Sequence, residues 1–518
     1  MSESFSTVIE NGYHFKGKSF VLGAAMQGNE VVPGCPIKIP LATLNRHGLI
    51  AGATGTGKTK TIQVISECLA ENGIPVLLMD VKGDLSGIAA CGKSNPKIED
   101  RHHKIGLPFT EDQFASELLS ISTQPGVKMR ATVSEFGPVL FSKILGINET
   151  QEGIVSVVFR YCDQKGLPLL DLKDFKKTLN YISGEAKAEI EAEYGAISNV
   201  SMGTILRKVV ELEQQGADTF FGEPSYEVED LLRFDSNGRG MINILRVSDI
   251  QDRPKMFSTF MLCLLAEIYN LFPEEGDLDQ PKLVMFIDEA HLIFNEASKA
   301  LMSQLETIIK LIRSKGVGIF FCTQNPQDIP EAVLSQLGLK VQHALRAFTA
   351  NDRKDIKKTA ENYPISEFYK TDEVLTSMGI GECLVTALDE KGRPTPLAHT
   401  FLRAPRSRMD VLTEDEIELI ISSSTMVRKY NRQIDRESAY EILTEKITSA
   451  QKTAEEDEST KSDTRSKSSA KEKSTLEKVT SNPMIKQVGN TFIREVTRGL
   501  LGVLGVKTSS TRKKSSWF

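Results

Sequence analysis

Residues 52–59 have the types and spacing of a phosphate-binding loop. They match the pattern G-x-x-x-x-G-K-[ST] in full, between the apolar run 49–51 and a helical pattern at 61–73. Glycines let backbone amides approach phosphate oxygens, and the start of the following helix adds a favourable dipole. The lysine would reach the β and γ phosphates, and the last threonine would ligate magnesium. The predicted phosphate site contains Gly52, Ala53, Thr54, Gly55, Thr56, Gly57, Lys58 and Thr59.

An acidic pair follows a second apolar run. Residues 283–287 have the pattern of a buried strand, and Asp288 and Glu289 come directly after it. Asp288 would hold the magnesium shell, while Glu289 would polarise a water molecule for attack on the γ phosphate. Because a kinase that transfers phosphate to a bound substrate does not need this glutamate, the pair indicates hydrolysis.

Three further side chains are candidates for the same chemistry. Gln324 ends the strand-like run 320–324, where an amide can reach the γ phosphate or the attacking water. Arg346 and Arg313 are candidates for a charge delivered to the γ phosphate of a neighbouring subunit. For either arginine, a solvated or salt-bridged surface position is an equal alternative.

A charged turn follows the strand-like run 75–80. It contains Asp80, Lys82 and Asp84. If this strand is parallel to the one before the phosphate-binding loop, their carboxyl ends lie at the same edge of the sheet. The three side chains are therefore candidates for lining the phosphate site.

The order of elements predicts an α/β fold with a parallel-rich central sheet. Strand, loop, helix and strand follow one another from residue 49 to 80, which favours a parallel pair with both sheet faces covered. Residues 451–480 contain seven basic and seven acidic residues and few apolar ones, so we expect a disordered linker there. The predicted segments are a short β-rich N-terminal segment (1–48), two parts of the core (49–90 and 236–448), an inserted helical domain (91–235), the linker (449–480) and a basic amphipathic helix (481–518).

Composition limits the class of protein. The 518 residues include 63 Lys and Arg against 69 Asp and Glu, which excludes a globally basic nucleic-acid coat but permits a local basic channel. There is no signal-peptide pattern and no apolar run of roughly 18 residues, and the seven cysteines are scattered. We therefore expect a cytoplasmic protein with reduced thiols and no transmembrane segment. The basic flanks of the helix in 481–518 suit docking on a partner or on an anionic surface.

These motifs resemble those of the HerA and FtsK superfamily of P-loop ATPases, most closely the HerA-like proteins of the YjgR type. The matching stretches are NRHGLIAGATGTGKT, PVLLMDVKGDLSG, LVMFIDEAHLIF, IIKLIRSKGVGIFFCTQNPQDIP and HALRAFTANDRK. The resemblance covers about residues 10–440. It implies a RecA-like P-loop NTPase core, ATP and Mg²⁺ as cofactors, a homo-hexameric ring, and translocation on double-stranded DNA.

The resemblance also assigns roles by position, and the sequence departs from the family pattern at two places. About 48 residues precede the P-loop, fewer than the β-barrel of HerA needs, and the HerA motif HGE reads KGD at residues 82–84, which leaves the role of Asp84 open. The implied roles are the P-loop (Lys58, Thr59), magnesium binding (Thr59, Asp288), water activation (Glu289), sensing (Gln324) and a finger in trans (Arg346).

Three functions remain open at the level of sequence. The leading one is an ATP-driven motor or helicase acting on DNA. A motor of the same fold acting on protein substrates, as in secretion ATPases, and an ATPase whose hydrolysis only switches partner binding are the alternatives. Basic stretches such as 205–210 and 352–358 fit solvated faces as well as DNA contacts, so DNA is an implication of the resemblance alone.

Overall fold

The computed structural model describes residues 4–276, 278–294, 299–432, 434 and 436–461. These residues divide into two compact units. The first unit contains the residues up to Met129 together with Tyr226–Asn431. The second contains Arg130–Ser225 together with the described residues from 432 onward.

Twelve strands of the first unit form one sheet. Their bounds are β1 Ser19–Gln27, β2 Glu30–Pro40, β3 Gly48–Ala51, β4 Val76–Asp80, β5 Ser116–Ser120, β6 Val127–Lys128, β7 Ile242–Arg246, β8 Leu283–Ile287, β9 Val317–Thr323, β10 Leu339–His343, β11 Glu382–Thr386 and β12 Ala398–Leu402. They lie in the order β2-β1-β12-β11-β10-β3-β9-β8-β4-β7-β5-β6.

The strands from β10 to β6 in this order are parallel, and the other four pair in antiparallel fashion. Every residue of β3, β4, β8 and β9 is buried, as expected for parallel strands covered on both faces. Their apolar side chains belong to the core of the first unit, where the rings of Phe286 and Phe320 lie 5.0 Å apart. The predicted α/β class with a parallel-rich sheet is confirmed.

Helices connect these strands. Those of the first unit are α1 Phe5–Gly12, α2 Lys58–Glu71, α3 Pro96–Ile105, α9 Pro254–Leu271, α10 His291–Phe294, α11 Lys299–Ile312, α12 Glu331–Leu334, α13 Ala350–Glu361, α14 Thr371–Ser377, α15 Glu414–Ser423 and α16 Thr425–Tyr430. Pro254 stands at the first turn of α9, where its missing amide proton costs no hydrogen bond. Within the described residues, no helix is long and apolar enough to cross a bilayer.

The second unit is helical. It contains α4 Val133–Leu145, α5 Glu149–Lys165, α6 Leu172–Ser183, α7 Lys187–Tyr194, α8 Asn199–Gln214 and α17 Ala439–Lys461. Phe141 lies at the centre of its core, with ring centroids 4.8 Å from Phe175 and 6.0 Å from Phe159. Asp171 caps α6 by accepting hydrogen bonds from two backbone amides of its first turn.

The structure corrects the predicted limits of the helical insertion and of the N-terminal segment. The insertion spans 130–225 rather than 91–235, because β5 and β6 add strands to the main sheet. Residues 1–48 contain strands, β1 and β2, as predicted, but they belong to the first unit and are not a separate segment, since β1 pairs with β12. Sequence patterns could not reveal this pairing because its two strands are far apart in the chain.

The predicted boundary at residue 448 is also corrected. Helix α17 packs on α6, so residues 439–448 belong to the helical unit and not to the α/β core. The backbone amide of Ala439 donates to the carbonyl of Pro168 at 3.0 Å, and that of Tyr440 donates to the carboxylate of Asp174 at 2.8 Å. The helix extends to Lys461, so the first part of the predicted linker is helical. Residues 462–480 and the predicted helix in 481–518 lie outside the described residues and stay predictions.

Leu443 provides a test of this assignment. Its side chain is fully buried in α17, so Leu443→Ala should destabilise the helical unit by about 2–5 kcal/mol. Hydrogen–deuterium exchange should then become faster in α6, while the amides of β3 and β9 keep their protection. Lys446→Ala, at an exposed position one turn later, is the matched control and should change nothing. Unchanged exchange in α6 with Leu443→Ala would contradict the packing of α17 on this unit.

Candidate active site

The P-loop connects β3 to α2 and is held by the neighbouring strands. The amide of Gly52 donates to the carbonyl of Thr323 at 3.2 Å, and that of Ala53 donates to the carbonyl of Ala344 at 2.9 Å. Gly52 has φ 149°, and a Cβ atom at this position would lie 2.5 Å from the Cβ atom of His343. Only glycine therefore fits at the first position of the loop.

Lys58 begins α2, and its side chain folds back on the P-loop. Its Nζ atom donates to the carbonyl oxygens of Gly52 at 2.7 Å and Ala53 at 3.2 Å. The residue is only 7% exposed. Burial and then the charge of Lys82 lower the pKa of Lys58 below its usual value. The ammonium group is thus held in the concave side of the loop, where an anion would compensate for its lost hydration.

Asp288 follows β8 and presents a buried oxygen. Its Oδ2 atom has no hydrogen-bond partner among the described residues. Burial raises the pKa of Asp288 to about 7, with the charge of Lys82 acting in the opposite direction. A desolvated carboxylate oxygen without a donor is a ready ligand for a hard cation.

Glu289 has an unusual backbone and three polar neighbours. Its φ of 47° lies in the left-handed region, and the next amide, of Ala290, donates to the carbonyl of Cys322 at 2.9 Å. The Oε1 atom forms an ion pair with Lys82 and accepts from Nε2 of Gln324 at 3.5 Å. The Oε2 atom lies 3.2 Å from Nδ1 of His291. Burial disfavours its charge, but the hydrogen bond and the charge of Lys82 prevail and lower the pKa of Glu289.

Gln324 bridges the acidic pair and the P-loop. Its amide nitrogen faces Glu289, and its Oε1 atom accepts from the hydroxyl of Thr54 at 3.3 Å. The side chain therefore spans from the end of β8 to the P-loop. A group in this place contacts both the residue predicted to activate water and the loop predicted to bind phosphate.

The charged turn after β4 lies beside the P-loop helix. The carboxylate of Asp80 accepts from the amides of Gly83 at 2.7 Å, Asp84 at 3.1 Å and Leu85 at 3.2 Å, which fixes the turn. Burial, together with the charge of Asp84, raises the pKa of Asp80 to about 6. The hydroxyl of Thr59 donates to Oδ2 of Asp84 at 3.1 Å. Asp84 is therefore the acidic partner of Thr59, whereas Asp80 stabilises the conformation of the turn.

The two candidate arginines lie apart from this cluster. Arg346 follows β10, so it is at the carboxyl edge of the parallel strands, as the P-loop is. It is exposed and donates to the carbonyl of Thr376 at 3.2 Å. Arg313 is exposed in a turn just before β9, at the amino edge. Among the described residues, neither one hydrogen-bonds to the P-loop or to the acidic pair.

Two histidines of this site were not singled out by the sequence analysis. His291 contacts Glu289, and Nε2 of His343 lies 2.9 Å from the hydroxyl of Thr61 while its Cβ atom packs against Gly52. Burial lowers the pKa of His343 to about 4. The sequence places His291 three residues after Asp288, but the contact of His291 with Glu289 depends on the left-handed backbone of Glu289 and could not be predicted.

Comparisons with known proteins identify the family of this chain. The family model described as "Helicase HerA-like C-terminal" matches residues 27–509. The "DNA double-strand break repair helicase HerA" of Sulfolobus acidocaldarius is 24% identical over 375 residues, which cover 71% of this chain and 67% of that protein. The protein of the same name from Sulfurisphaera tokodaii is 24% identical over 399 residues, which cover 74% of this chain and 68% of that protein.

A solved structure shows the same fold. The "Bacterial conjugative coupling protein TrwBdeltaN70" has a TM-score of 0.52 and 15% identity, and the match covers 79% of this chain and 94% of that chain. This likeness concerns the fold alone and agrees with the predicted α/β core. The narrower resemblance to the YjgR type stays a prediction. The family match spans most of the sequence, and the chain belongs to the helicase HerA-like C-terminal family.

Proposed function

We propose that this chain is an ATP-hydrolysing ring motor of the HerA type that translocates on or unwinds double-stranded DNA. The observation that carries the proposal is the contact of Gln324 with both Glu289 and the P-loop residue Thr54. This contact joins a candidate general base to a phosphate-binding loop. The relatives named above are helicases, and their names support DNA as the substrate.

ATP and Mg²⁺ fit the residues of the site. Lys58 and the P-loop amides would hold the phosphates. Mg²⁺ would be held by the hydroxyl of Thr59 and by the unpartnered Oδ2 atom of Asp288, with Asp84 beside Thr59. Bound there, Mg²⁺ would neutralise charge on the phosphates. Within the described ranges, no group of three or more His, Cys, Asp or Glu side chains could hold a metal ion. Mg²⁺ commonly binds through one or two carboxylates together with substrate phosphates and water molecules, so two protein ligands fit this ion.

Glu289 would take a proton from the attacking water. Burial disfavours the charged form of its carboxylate, but Lys82 lowers the pKa of Glu289 and thereby favours the form that can accept a proton. Gln324, whose amide nitrogen donates to Glu289, would orient the water beside that carboxylate. Lys58 would stabilise the charge that develops on the γ phosphate.

The loop that follows β9 connects Gln324 to helix α13, so it could transmit a change at the γ phosphate to that helix. After Gln324, the side chain of Gln327 donates to the backbone carbonyl of Asp355 in α13 at 3.2 Å. Helix α13 exposes four cations, and none of them forms an ion pair within the part of the chain that the structure describes. A row of exposed cations fits a phosphate backbone, which favours DNA over a protein substrate. The four cations are Arg353, Lys354, Lys357 and Lys358.

All seven cysteines are free, and Cys91 is the exposed one. Free buried thiols are typical of a reducing compartment, so a cytoplasmic location is part of the proposal. A homo-hexameric ring is proposed from the family resemblance, with the finger arginine supplied by the neighbouring subunit.

Glu289→Gln should retain the ability to bind ATP and Mg²⁺ but hydrolyse ATP about 10²–10⁴ times more slowly, since it lacks a proton acceptor. Single-turnover kinetics and equilibrium binding separate these two effects. Lys58→Ala is the contrasting variant, because it removes the cation of the P-loop and should weaken binding as well. Wild-type turnover in Glu289→Gln would contradict the assignment of the water-activating residue.

Duplex DNA should stimulate the ATPase, and the stimulation should weaken as salt is raised. Lys354→Gln/Lys357→Gln should reduce the slope of log affinity against log salt by about 1 for each DNA phosphate that is no longer neutralised. Lys93→Gln/Lys97→Gln, which removes two exposed lysines outside α13, is the matched control and should keep the slope. Stimulation by unfolded protein, with none by DNA, would favour the motor acting on protein substrates.

Arg346→Ala should bind ATP with near-normal affinity and lose about 10³ in rate if the arginine acts in trans. An inactive Lys58→Ala subunit still offers Arg346, and an inactive Arg346→Ala subunit still has an intact P-loop. Mixed rings should therefore recover activity that neither parent shows. Arg313→Ala is the control and should hydrolyse ATP normally. No recovery in rings proven to be mixed, together with an inactive Arg313→Ala, would move the finger to Arg313.

A further inference from the structure

Lys82 lies in the turn after β4 and points its ammonium group at the acidic pair. Its Nζ atom forms an ion pair with Oε1 of Glu289. The side chain of Lys82 is 35% exposed, whereas that of Glu289 is 7% exposed. The charges of Asp288 and Asp84 also act on this ammonium group. Lys82 therefore supplies a positive charge to the three carboxylates of Asp84, Asp288 and Glu289.

The contacts of Glu289 restrict what it can do. One carboxylate oxygen contacts Lys82 and Gln324, and the other lies beside His291. A general base needs a lone pair directed at the water that it deprotonates. The buried Oε2 atom has no hydrogen-bond partner among the described residues, so it is the partners of Oε1 that must move aside before that oxygen can accept a proton. Lys82 is the cationic partner of Oε1, so its ion pair is the contact that holds this oxygen most strongly.

Lys82 can change partners without disturbing the fold. Its partly exposed four-carbon stem is flexible, and its amine has three donors. An ammonium group leaves a carboxylate readily only for another anion. Under the proposed function, the substrate brings such an anion, the γ phosphate, to the water-activating residue. ADP brings none.

We propose that Lys82 recognises the third phosphate of the nucleotide: its ammonium group exchanges the carboxylate of Glu289 for the γ phosphate and thereby frees Glu289 to receive the proton of the attacking water. This inference rests on the proposed ATPase function. The exchange replaces one ion pair by another and changes no covalent bond. Lys58 has a different task, because its ammonium group donates to the carbonyl oxygens of the P-loop itself.

The first test compares nucleotide affinities. Lys82→Met should bind a non-hydrolysable ATP analogue about tenfold more weakly, the size expected for one charge-assisted hydrogen bond, and bind ADP as the wild type does. Lys82→Arg keeps the charge and should retain most of the preference for the triphosphate. Lys282→Met is the matched control, since Lys282 pairs with Glu275, is 34% exposed and lies at the opposite end of β8. It should leave both affinities unchanged.

The second test is a double-mutant cycle with Glu289→Gln. Removing the carboxylate frees Lys82 for the γ phosphate, so Glu289→Gln should bind the ATP analogue more tightly than the wild type does. Lys82→Met/Glu289→Gln should lose this gain. ADP affinity should be the same in all four proteins. A gain that persists without Lys82 would show that Glu289 acts on the phosphate without the exchange, and would overturn the proposal.

Other outcomes also decide the matter. An equal loss of ADP and ATP-analogue affinity in Lys82→Met, or no loss of either, would overturn recognition of the third phosphate. Faster hydrolysis with unchanged affinity would show that Lys82 only restrains Glu289, and would overturn it as well. Failure of the proposed function itself is distinguishable: the wild type would then bind the ATP analogue no better than Lys58→Ala does.

Discussion

The parallel pairing of β3 with its neighbours is the constraint on which the site depends. Parallel strands end at the same edge of a sheet, so the residues that follow them are brought together whatever their distance in the chain. Ala51 of β3 is in register with Thr323 of β9, and Phe321 of β9 is in register with Ile287 of β8. A slip of one residue in either pair would move every side chain of the strand to the opposite face of the sheet and displace the P-loop from the acidic pair.

The strained backbone of Glu289 also determines where the two carboxylates of the acidic pair point. Glu289 is a non-glycine residue at φ 47°, a conformation with a modest energetic cost. The hydrogen bond from Ala290 to Cys322 holds it there, and the result is that Asp288 and Glu289 point to different partners. Asp288 keeps a buried oxygen free of donors, while Glu289 contacts Lys82. Two adjacent carboxylates thus differ in chemistry, and their pKa values shift in opposite directions.

The sequence predicted what depends on local pattern and failed where contacts are remote. The P-loop and the strands before Asp288 and Gln324 are contiguous signals, so their types and order could be predicted. The pairing of β1 with β12 and the packing of α17 on α6 join segments that are far apart in the chain, and no local pattern encodes them. The contact between Lys82 and Glu289 could not be predicted for the same reason, because it also joins remote segments. The charged turn after β4 was predicted from the sequence, but the contact of Lys82 with Glu289 depends on β4 and β8 being neighbours in the sheet.

Polar contacts join the site into one chain of side chains. Thr54 donates to Gln324, Gln324 donates to Glu289, and Glu289 pairs with Lys82. These residues come from the P-loop and from the ends of β9, β8 and β4, so each strand contributes one member. Because each member shares a partner with the next, the effects of substituting two of them should not add. Under the proposed function, a nucleotide that engages the P-loop at one end acts on a set of contacts that also includes the proposed general base, and this would be the physical basis for coupling phosphate recognition to hydrolysis.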